Sequence, residues 1–214
     1  MKKLAIFDFD GTLFNSVDDV VICFNQTLEI YNFPTLTKEE YFECLGGNID
    51  EIVSLVLGEN NSFENIEKVK KTYLELYNPS PKEHTLPFPE AHECLNKLQE
   101  KGVLLAINSN RLNYSLKYFV EKFFTDIDFV LVEGHNEDYP SKPNPFGVEN
   151  ILKKADLDLK DAVYIGDSKT DIETAQNAGM DCIVVRWGYG NLKDYENDYI
   201  LEAVDEFDDI LKYF

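Results

Sequence analysis

From Ala91 to Val185 the chain alternates between amphipathic stretches of helical period and short apolar runs. Helices are predicted over Ala91–Lys101, Leu112–Lys122, Pro145–Lys154 and Thr170–Ala178, with strands over Val103–Asn108, Phe129–Val132, Ala162–Ile165 and Cys182–Val185. Strand and helix in strict alternation imply right-handed crossovers, and therefore a parallel sheet of the α/β, Rossmann-like class. Ligands of such sheets bind outside the carboxyl ends of the strands, so the residues that follow each apolar run carry the functional reading.

The amino terminus supplies one more strand. Lys3-Leu4-Ala5-Ile6-Phe7 is too short for a helix and is bounded by charge and then by Gly11, which suits a buried strand of the same sheet. Between Ser16 and Tyr77 no strand pattern occurs. Val17, Val20, Val21, Phe24 and Leu28 fall on one helical face, then Ile49, Ile52, Val53 and Val56, then Ile66, Val69, Tyr73 and Leu76. Thr37 with Glu40 reads as a capping box, and Asn48 can cap the next helix. The segment Asn78 to Glu90 holds four prolines, too many for a regular element, and is read as a return linker. A chain of 214 residues is long enough for one large α/β domain with a smaller insertion. The expected division is a core of residues 1–14 and 86–214 and a helical cap of residues 15–85 above the carboxyl edge of the sheet.

Four motifs fall at strand ends. Asp8 and Asp10 follow the first strand at i, i+2, on one face of an extended segment. Two like charges so close repel, which makes sense if a cation sits between them or if one is a nucleophile and the other a proton carrier; an acidic Asp-Gly turn is the plain alternative. Ser109 and Asn110 stand where a strand is predicted to give way to a helix whose first N–H groups can hold an anion, although Ser109 also suits a simple cap. Lys142 is fixed between Ser141 and Pro143, with Pro145 suited to the first turn of a helix. Asp167 ends a strand and Asp171 lies four residues on, in the first turn of the next helix. Capping explains one of these two acids but not both. Four carboxylates converging on one pocket call for a divalent cation, and oxygen ligands without convergent His or Cys favour magnesium over zinc.

Charge narrows the partners. Forty acidic against twenty basic residues give a formal net charge of −20, which argues against binding nucleic acid or an anionic membrane. A small anionic substrate remains open where a metal and a few placed cations reverse the field locally. Cys23, Cys44, Cys94 and Cys182 form no Cys-x-x-Cys pair, and reduced thiols in a cytoplasmic protein are expected. The apolar run behind Met-Lys-Lys is broken at once by Asp8, so no export signal is expected. No stretch approaches the roughly 18 apolar residues of a membrane span.

With these motifs in order along the whole chain, the sequence resembles the haloacid dehalogenase-like hydrolases. Asp8-Phe9-Asp10-Gly11-Thr12 is similar to that family's first motif, Ser109 to its second, Lys142 in Lys-Pro-Asn-Pro to its third, and Gly166-Asp167-Ser168-Lys169-Thr170-Asp171 to its fourth. The insertion resembles the family's small helical cap, and Arg186-Trp187-Gly188-Tyr189-Gly190 resembles the phosphoglycolate phosphatase branch. The resemblance implies strand order 5-4-1-2-3 with the opening strand central. It also implies a magnesium-dependent phosphatase that hydrolyses a small phosphate monoester through an aspartyl phosphate. By the same resemblance Asp8 is the nucleophile and Asp10 the acid and base, whose backbone carbonyl also binds the metal. Asp8 and Asp167 are metal ligands, Ser109, the N–H of Asn110 and Lys142 hold the phosphoryl oxygens, and Asp171 and Thr12 support them from behind.

Thr12, where sugar-phosphate mutases of the family often carry an aliphatic residue, favours hydrolysis. Phosphoglycolate is the first substrate implied, with pyrophosphate, a nucleoside monophosphate or a sugar phosphate as alternatives. Cap-bearing members often supply a cation from the loop equivalent to Leu45-Gly46-Gly47-Asn48, and this chain has none there. A second anionic group on the substrate would need Arg111 or Lys38. A phospho-accepting signalling receiver also gathers acids, a hydroxyl and a lysine, but it accepts phosphate on a middle strand and lacks a long insertion after the first. His84, His92 and His135 are not expected to be essential.

Overall fold

The computed structural model describes residues 1–214. Strand β1 (Leu4–Phe7) opens the chain and a two-residue β2 (Phe14–Asn15) follows the first loop. Four helices come next: α1 (Val17–Ile30), α2 (Lys38–Phe42), α3 (Ile49–Leu57) and α4 (Phe63–Tyr77). The chain returns through β3 (Leu86–Pro87) into α5 (Ala91–Glu100), β4 (Leu104–Leu112), α6 (Asn113–Phe123), β5 (Phe129–His135) and α7 (Phe146–Ala155). It closes with β6 (Ala162–Gly166), α8 (Lys169–Ala178), β7 (Cys182–Val185), β8 (Ile200–Val204) and a 3-10 helix, Phe207–Tyr213.

The main sheet has the order β5-β4-β1-β6-β7-β8, and every neighbouring pair is parallel. The opening strand is central, as expected, and β8 adds a sixth strand beyond β7. All four residues of β1 are fully buried, because the two faces of the strand feed two cores. Ala5 and Phe7 pack with Leu95 and Leu98 of α5 and Leu116 and Phe119 of α6, whereas Leu4 and Ile6 pack with Val148 and Ile151 of α7 and Ile172 and Ala175 of α8. A third core belongs to the helical unit alone, where Val20, Phe24 and Leu28 of α1 meet Val53 and Val56 of α3 and Val69 and Tyr73 of α4. Thr37–Glu40 and Asn48–Glu51 both form complete capping boxes. No helix is long and apolar enough to cross a membrane.

Three sequence expectations need correction. The proline-rich return is not wholly irregular, because Leu86–Pro87 pairs antiparallel with Phe14–Asn15. Proline is tolerated there since the two-stranded ribbon is all edge. Strand β8 escaped notice because Ile-Leu-Glu-Ala-Val mixes helix formers into a strand of which only Val204 is buried. Most consequentially, β4 does not end at Asn108 but runs to Leu112, and α6 begins only at Asn113. Asn108 pairs with Glu133 and Leu112 with His135, so four steps on β4 oppose two on β5. Gly134 makes this possible, since a Cβ there would stand 2.6 Å from the Asn113 Cα. The bulge carries Ser109, Asn110 and Arg111 out over the carboxyl end of the sheet.

Candidate active site

A cavity of about 680 Å³ lies between that end of the sheet and the helical unit. Asp8, Asp10, Ser109, Asn110, Lys142 and Asp167 all line it. Thr12 and Asp171 stand behind the lining, both fully buried.

At its floor Asp8, Asp167 and Asp171 bring carboxylate oxygens within 4.8 Å of one another, all buried. The Lys142 ammonium lies 2.7 Å from Asp171 Oδ1 and 2.8 Å from Asp8 Oδ1. One lysine against three carboxylates leaves a formal surplus of two negative charges. Burial, then the charge of Asp171, push the Asp8 carboxyl well above its ordinary range despite Lys142. The same two causes push Asp167 up to about 7. Burial works against the charge of Lys142, but Asp171 and Asp8 outweigh it and its proton is held more firmly than usual.

The three carboxylates are not equally free. Asp171 is saturated: Oδ1 takes Lys142, and Oδ2 accepts from the N–H groups of Asp167 (3.2 Å) and Ser168 (3.0 Å) and from the Ser168 hydroxyl (2.6 Å). It also closes a capping box with Ser168 at the start of α8, which fixes its rotamer. Asp167 accepts one bond on each oxygen, from the Thr12 hydroxyl (3.2 Å) and the Tyr189 N–H (2.6 Å). Asp8 Oδ1 is buried and has the Lys142 ammonium, at 2.8 Å, as its one side-chain partner. Asp8 and Asp167 therefore have oxygen lone pairs to offer, and a surplus of two negative charges fits one divalent cation. Gly11 permits the close approach of the first loop, since its φ is +79° and a Cβ would fall 2.3 Å from Asp167 Oδ2.

The second motif is arranged differently from the sequence reading. Ser109 and Asn110 sit on the β4 bulge rather than at a helix start. The Ser109 hydroxyl accepts from the Arg111 N–H at 3.1 Å. Asn110 clamps the Lys142 loop, accepting from the Lys142 N–H at 2.8 Å and donating to its carbonyl at 3.1 Å. It also donates to the Gly46 carbonyl of the helical unit at 3.1 Å, and Asn48 donates to the Ser141 hydroxyl at 3.1 Å.

Asp10 stands outside this cluster of three carboxylates. Arg111 grips its carboxylate, with Nε 3.0 Å from Oδ2, and the Ser16 hydroxyl donates to Oδ1. The other arm of the guanidinium donates to the Tyr77 hydroxyl (2.7 Å) and the Ser115 hydroxyl (3.2 Å), and the group lies over the rings of Phe9 and Phe119. Of the two cations that sequence offered for a second anionic group, Arg111 lines the cavity and Lys38 does not.

Several functional contacts escaped sequence reading. Ser16 looks like a helix cap, Tyr77 like a core position of α4, and Tyr164 like the interior of β6. Yet the Tyr164 hydroxyl is 3.4 Å from Asp171 Oδ1. Tyr189 had a signal in its Gly-Tyr-Gly setting, and its hydroxyl accepts from the N–H of Ser16 (2.6 Å) and of Val17 (3.2 Å), where α1 leaves the sheet. None of the three histidines lines the cavity.

A family model described as haloacid dehalogenase-like hydrolase matches residues 5–185. The chain is 29% identical over 199 residues to a phosphoglycolate phosphatase of Aquifex aeolicus, covering 93% of this chain and 92% of that protein. It is 28% identical over 211 residues to one of Aliivibrio fischeri, covering 96% and 93%. Among solved structures, a phosphoglycolate phosphatase candidate from Lactobacillus delbrueckii subsp. bulgaricus superposes with a TM-score of 0.92 at 27% identity, over 100% of this chain and 98% of that one.

Proposed function

The chain belongs to the haloacid dehalogenase-like hydrolases and is a phosphoric monoester hydrolase, and from that premise we propose that it is a magnesium-dependent phosphatase working through an aspartyl phosphate on Asp8. One observation carries the reading: a buried carboxylate whose one side-chain partner is a fixed lysine stands on a floor where three acids face that single cation. Structural roles for these acids would leave them hydrogen-bonded or neutralised, as Asp171 is.

In this reading Asp8 attacks phosphorus, and the difficult displacement is split into two easier ones. Lys142, the Ser109 hydroxyl and the Asn110 N–H hold the phosphoryl oxygens, since phosphoryl transfer needs positioning and charge neutralisation above all. Asp10 gives a proton to the departing alcohol oxygen and later takes one from the water that hydrolyses the aspartyl phosphate. Asp8, Asp167 and the backbone carbonyl of Asp10 would hold the magnesium, with Asp171 and Thr12 positioning Lys142 and Asp167. When bound, the ion neutralises charge on the attacking and transferred oxygens.

The helical unit of residues 15–85 would act as a cap over a core of residues 1–14 and 86–214. Substrates are small phosphorylated molecules, and the relatives' name puts phosphoglycolate forward for trial. Four buried free thiols suit a reducing, cytoplasmic setting. The test is release of p-nitrophenol from p-nitrophenyl phosphate with magnesium and with excess chelator, together with intact mass after rapid acid quench. Metal-dependent turnover and a transient phosphate on Asp8 are expected; full activity in chelator sinks the metal reading, and a phosphate found elsewhere sinks the nucleophile.

A further inference from the structure

The cavity holds one lysine, Lys142, among the acids of its phosphate end and no enclosed free cation elsewhere. We propose that the alcohol this phosphatase releases is uncharged and carries a ring-sized apolar body. The proposal rests on the phosphatase reading and names the substrate class of that same site.

The helical unit contains five lysines and no arginine. Each lysine is engaged away from the cavity. Lys38 pairs with Asp18 at 2.6 Å, Lys70 with Asp50 at 2.7 Å, and Lys71 lies 3.9 Å from Glu75. Lys68 sits over the rings of Tyr31 and Phe33, and Lys82 donates to the carbonyls of Asn78 and Ser80. None of the five lines the cavity, whereas Glu39 and Glu43 do.

Core-side cations do not make up the deficit. Lys142 is committed to the phosphate end. Arg111 has Nε and Nη2 on Asp10 and Nη1 on Tyr77 and Ser115, so a substrate carboxylate would have to displace Asp10 from it. Lys169 is at the rim, with its side chain 68% exposed and 3.8 Å from Glu173, where solvent screens it. A carboxylate on the departing alcohol would thus find no enclosed cation to pair with, and at the rim Lys169 is outnumbered by the exposed Glu39 and Glu43 and by Asp194.

An apolar body meets a suitable wall. Phe24 and Tyr73 stack with centroids 3.9 Å apart, and Tyr77 continues the tier at 5.3 Å. Phe42 and Tyr189 form a second stacked pair at 5.5 Å and 9°. Phe42, Tyr189, Ile49 and Ile52 line the cavity with partly exposed side chains, and Phe24, Tyr73 and Tyr77 border it as buried members of the helical unit's core. Its volume of about 680 Å³ lies within the ~300–1,000 Å³ of sites that enclose drug-sized ligands, far more than a two-carbon acid fills.

The test compares kcat/KM of the magnesium-loaded enzyme for two pairs that differ by one carboxylate: phenyl phosphate against 4-carboxyphenyl phosphate, and 2-hydroxyethyl phosphate against phosphoglycolate. The neutral member should win each pair by about threefold or more, since a carboxylate entering the cavity gives up hydration with no enclosed cation to replace it. Phenyl phosphate should also exceed 2-hydroxyethyl phosphate. Glu43→Lys should shrink the neutral-over-acid ratio in both pairs. Turnover with an equal or reversed ratio, or a ratio that Glu43→Lys leaves unchanged, overturns this inference while the phosphatase reading stands. No turnover of any of the four overturns the phosphatase reading and this inference with it.

Discussion

The guanidinium of Arg111 holds the carboxylate of Asp10, with Nε 3.0 Å from Oδ2 and 3.2 Å from Oδ1, and its far arm reaches the Tyr77 hydroxyl at 2.7 Å. A residue on the β4 bulge thereby ties the expected acid and base to the last turn of α4. The contact joins the sheet to the helical unit through one side chain that is 7% exposed. Arg111 therefore both orients Asp10 and reports the placement of the helical unit.

Arg111→Met is expected to lower unfolding stability by about 2 kcal/mol, the range of a hydrogen-bonded charge pair that loses one member. Tyr77→Phe should cost about 1 kcal/mol or less. Because both changes act on one network, the double variant should fall short of the sum by about 0.5 kcal/mol or more. Urea denaturation of the four proteins measures this, and strict additivity would mean that the guanidinium does not couple the two units.

Acidity gives a second expectation. The Asp167 carboxyl is raised to about 7 by burial and by Asp171, while in the unfolded chain it titrates near ~3.9. Between those values the folded protein keeps a proton that the unfolded chain has released. The resulting stabilisation is complete below about pH 4 and is lost as pH rises through about 7. Asp8 shifts in the same direction for the same first cause, burial, and adds to the trend. The metal-free protein should lose stability from pH 5 to pH 8, by an amount on the order of a few kcal/mol. Magnesium should stabilise more at pH 8 than at pH 5, because it replaces those protons. Thermal melts across pH in chelator and in magnesium provide the check, and parallel curves in the two conditions would rule out a metal on these carboxylates.

What was legible in the sequence was whatever depends on neighbours along the chain. Asp8, Asp10 and Gly11 follow an apolar run, Lys142 stands between Ser141 and Pro143, and Asp167 and Asp171 share one strand–helix turn, so spacing alone placed them at strand ends. The family resemblance then assigned their roles. The Arg111–Asp10 pair was not legible in this way. It depends on a bulge that Gly134, on a different strand, leaves room for, with no local sign beside Arg111. The same holds for Tyr77 and Tyr189, whose ring positions look like ordinary packing until the hydroxyl finds a partner from another element. Saturation of Asp171 by Lys142, Ser168 and the Asp167 N–H likewise appears only in three dimensions.

Lys142 offers a third expectation, because it is the sole cation against the three buried acids. Lys142→Met should destabilise the metal-free protein at neutral pH by about 3 kcal/mol or more, since it leaves Asp171 buried and uncompensated. Magnesium should restore part of that stability but not the turnover, as no cationic side chain would then hold the phosphoryl oxygens. Lys142→Met with near-normal kcat would remove this residue from phosphate binding, whatever its effect on melting.

The two carboxylates of the first loop differ in their surroundings, and their variants should differ in kind. Asp8 has Lys142 as its one side-chain partner on the cavity floor, while Asp10 is held by Arg111 and Ser16. Asp8→Asn should lose essentially all turnover, because an amide is a poor nucleophile toward phosphorus and cannot neutralise a cation. Asp10→Asn keeps its backbone carbonyl and so keeps that part of the metal site. With p-nitrophenolate as leaving group little proton donation is needed, so the first step should be slowed less than with an alkyl phosphate. Hydrolysis of the aspartyl phosphate still requires a base. Asp10→Asn should therefore show a burst of p-nitrophenol of about one per enzyme, then slow turnover, with a phosphorylated protein detectable by mass. Equal slowing on aryl and alkyl esters, or phosphoenzyme formed by Asp8→Asn, would mean that the two roles are wrongly assigned.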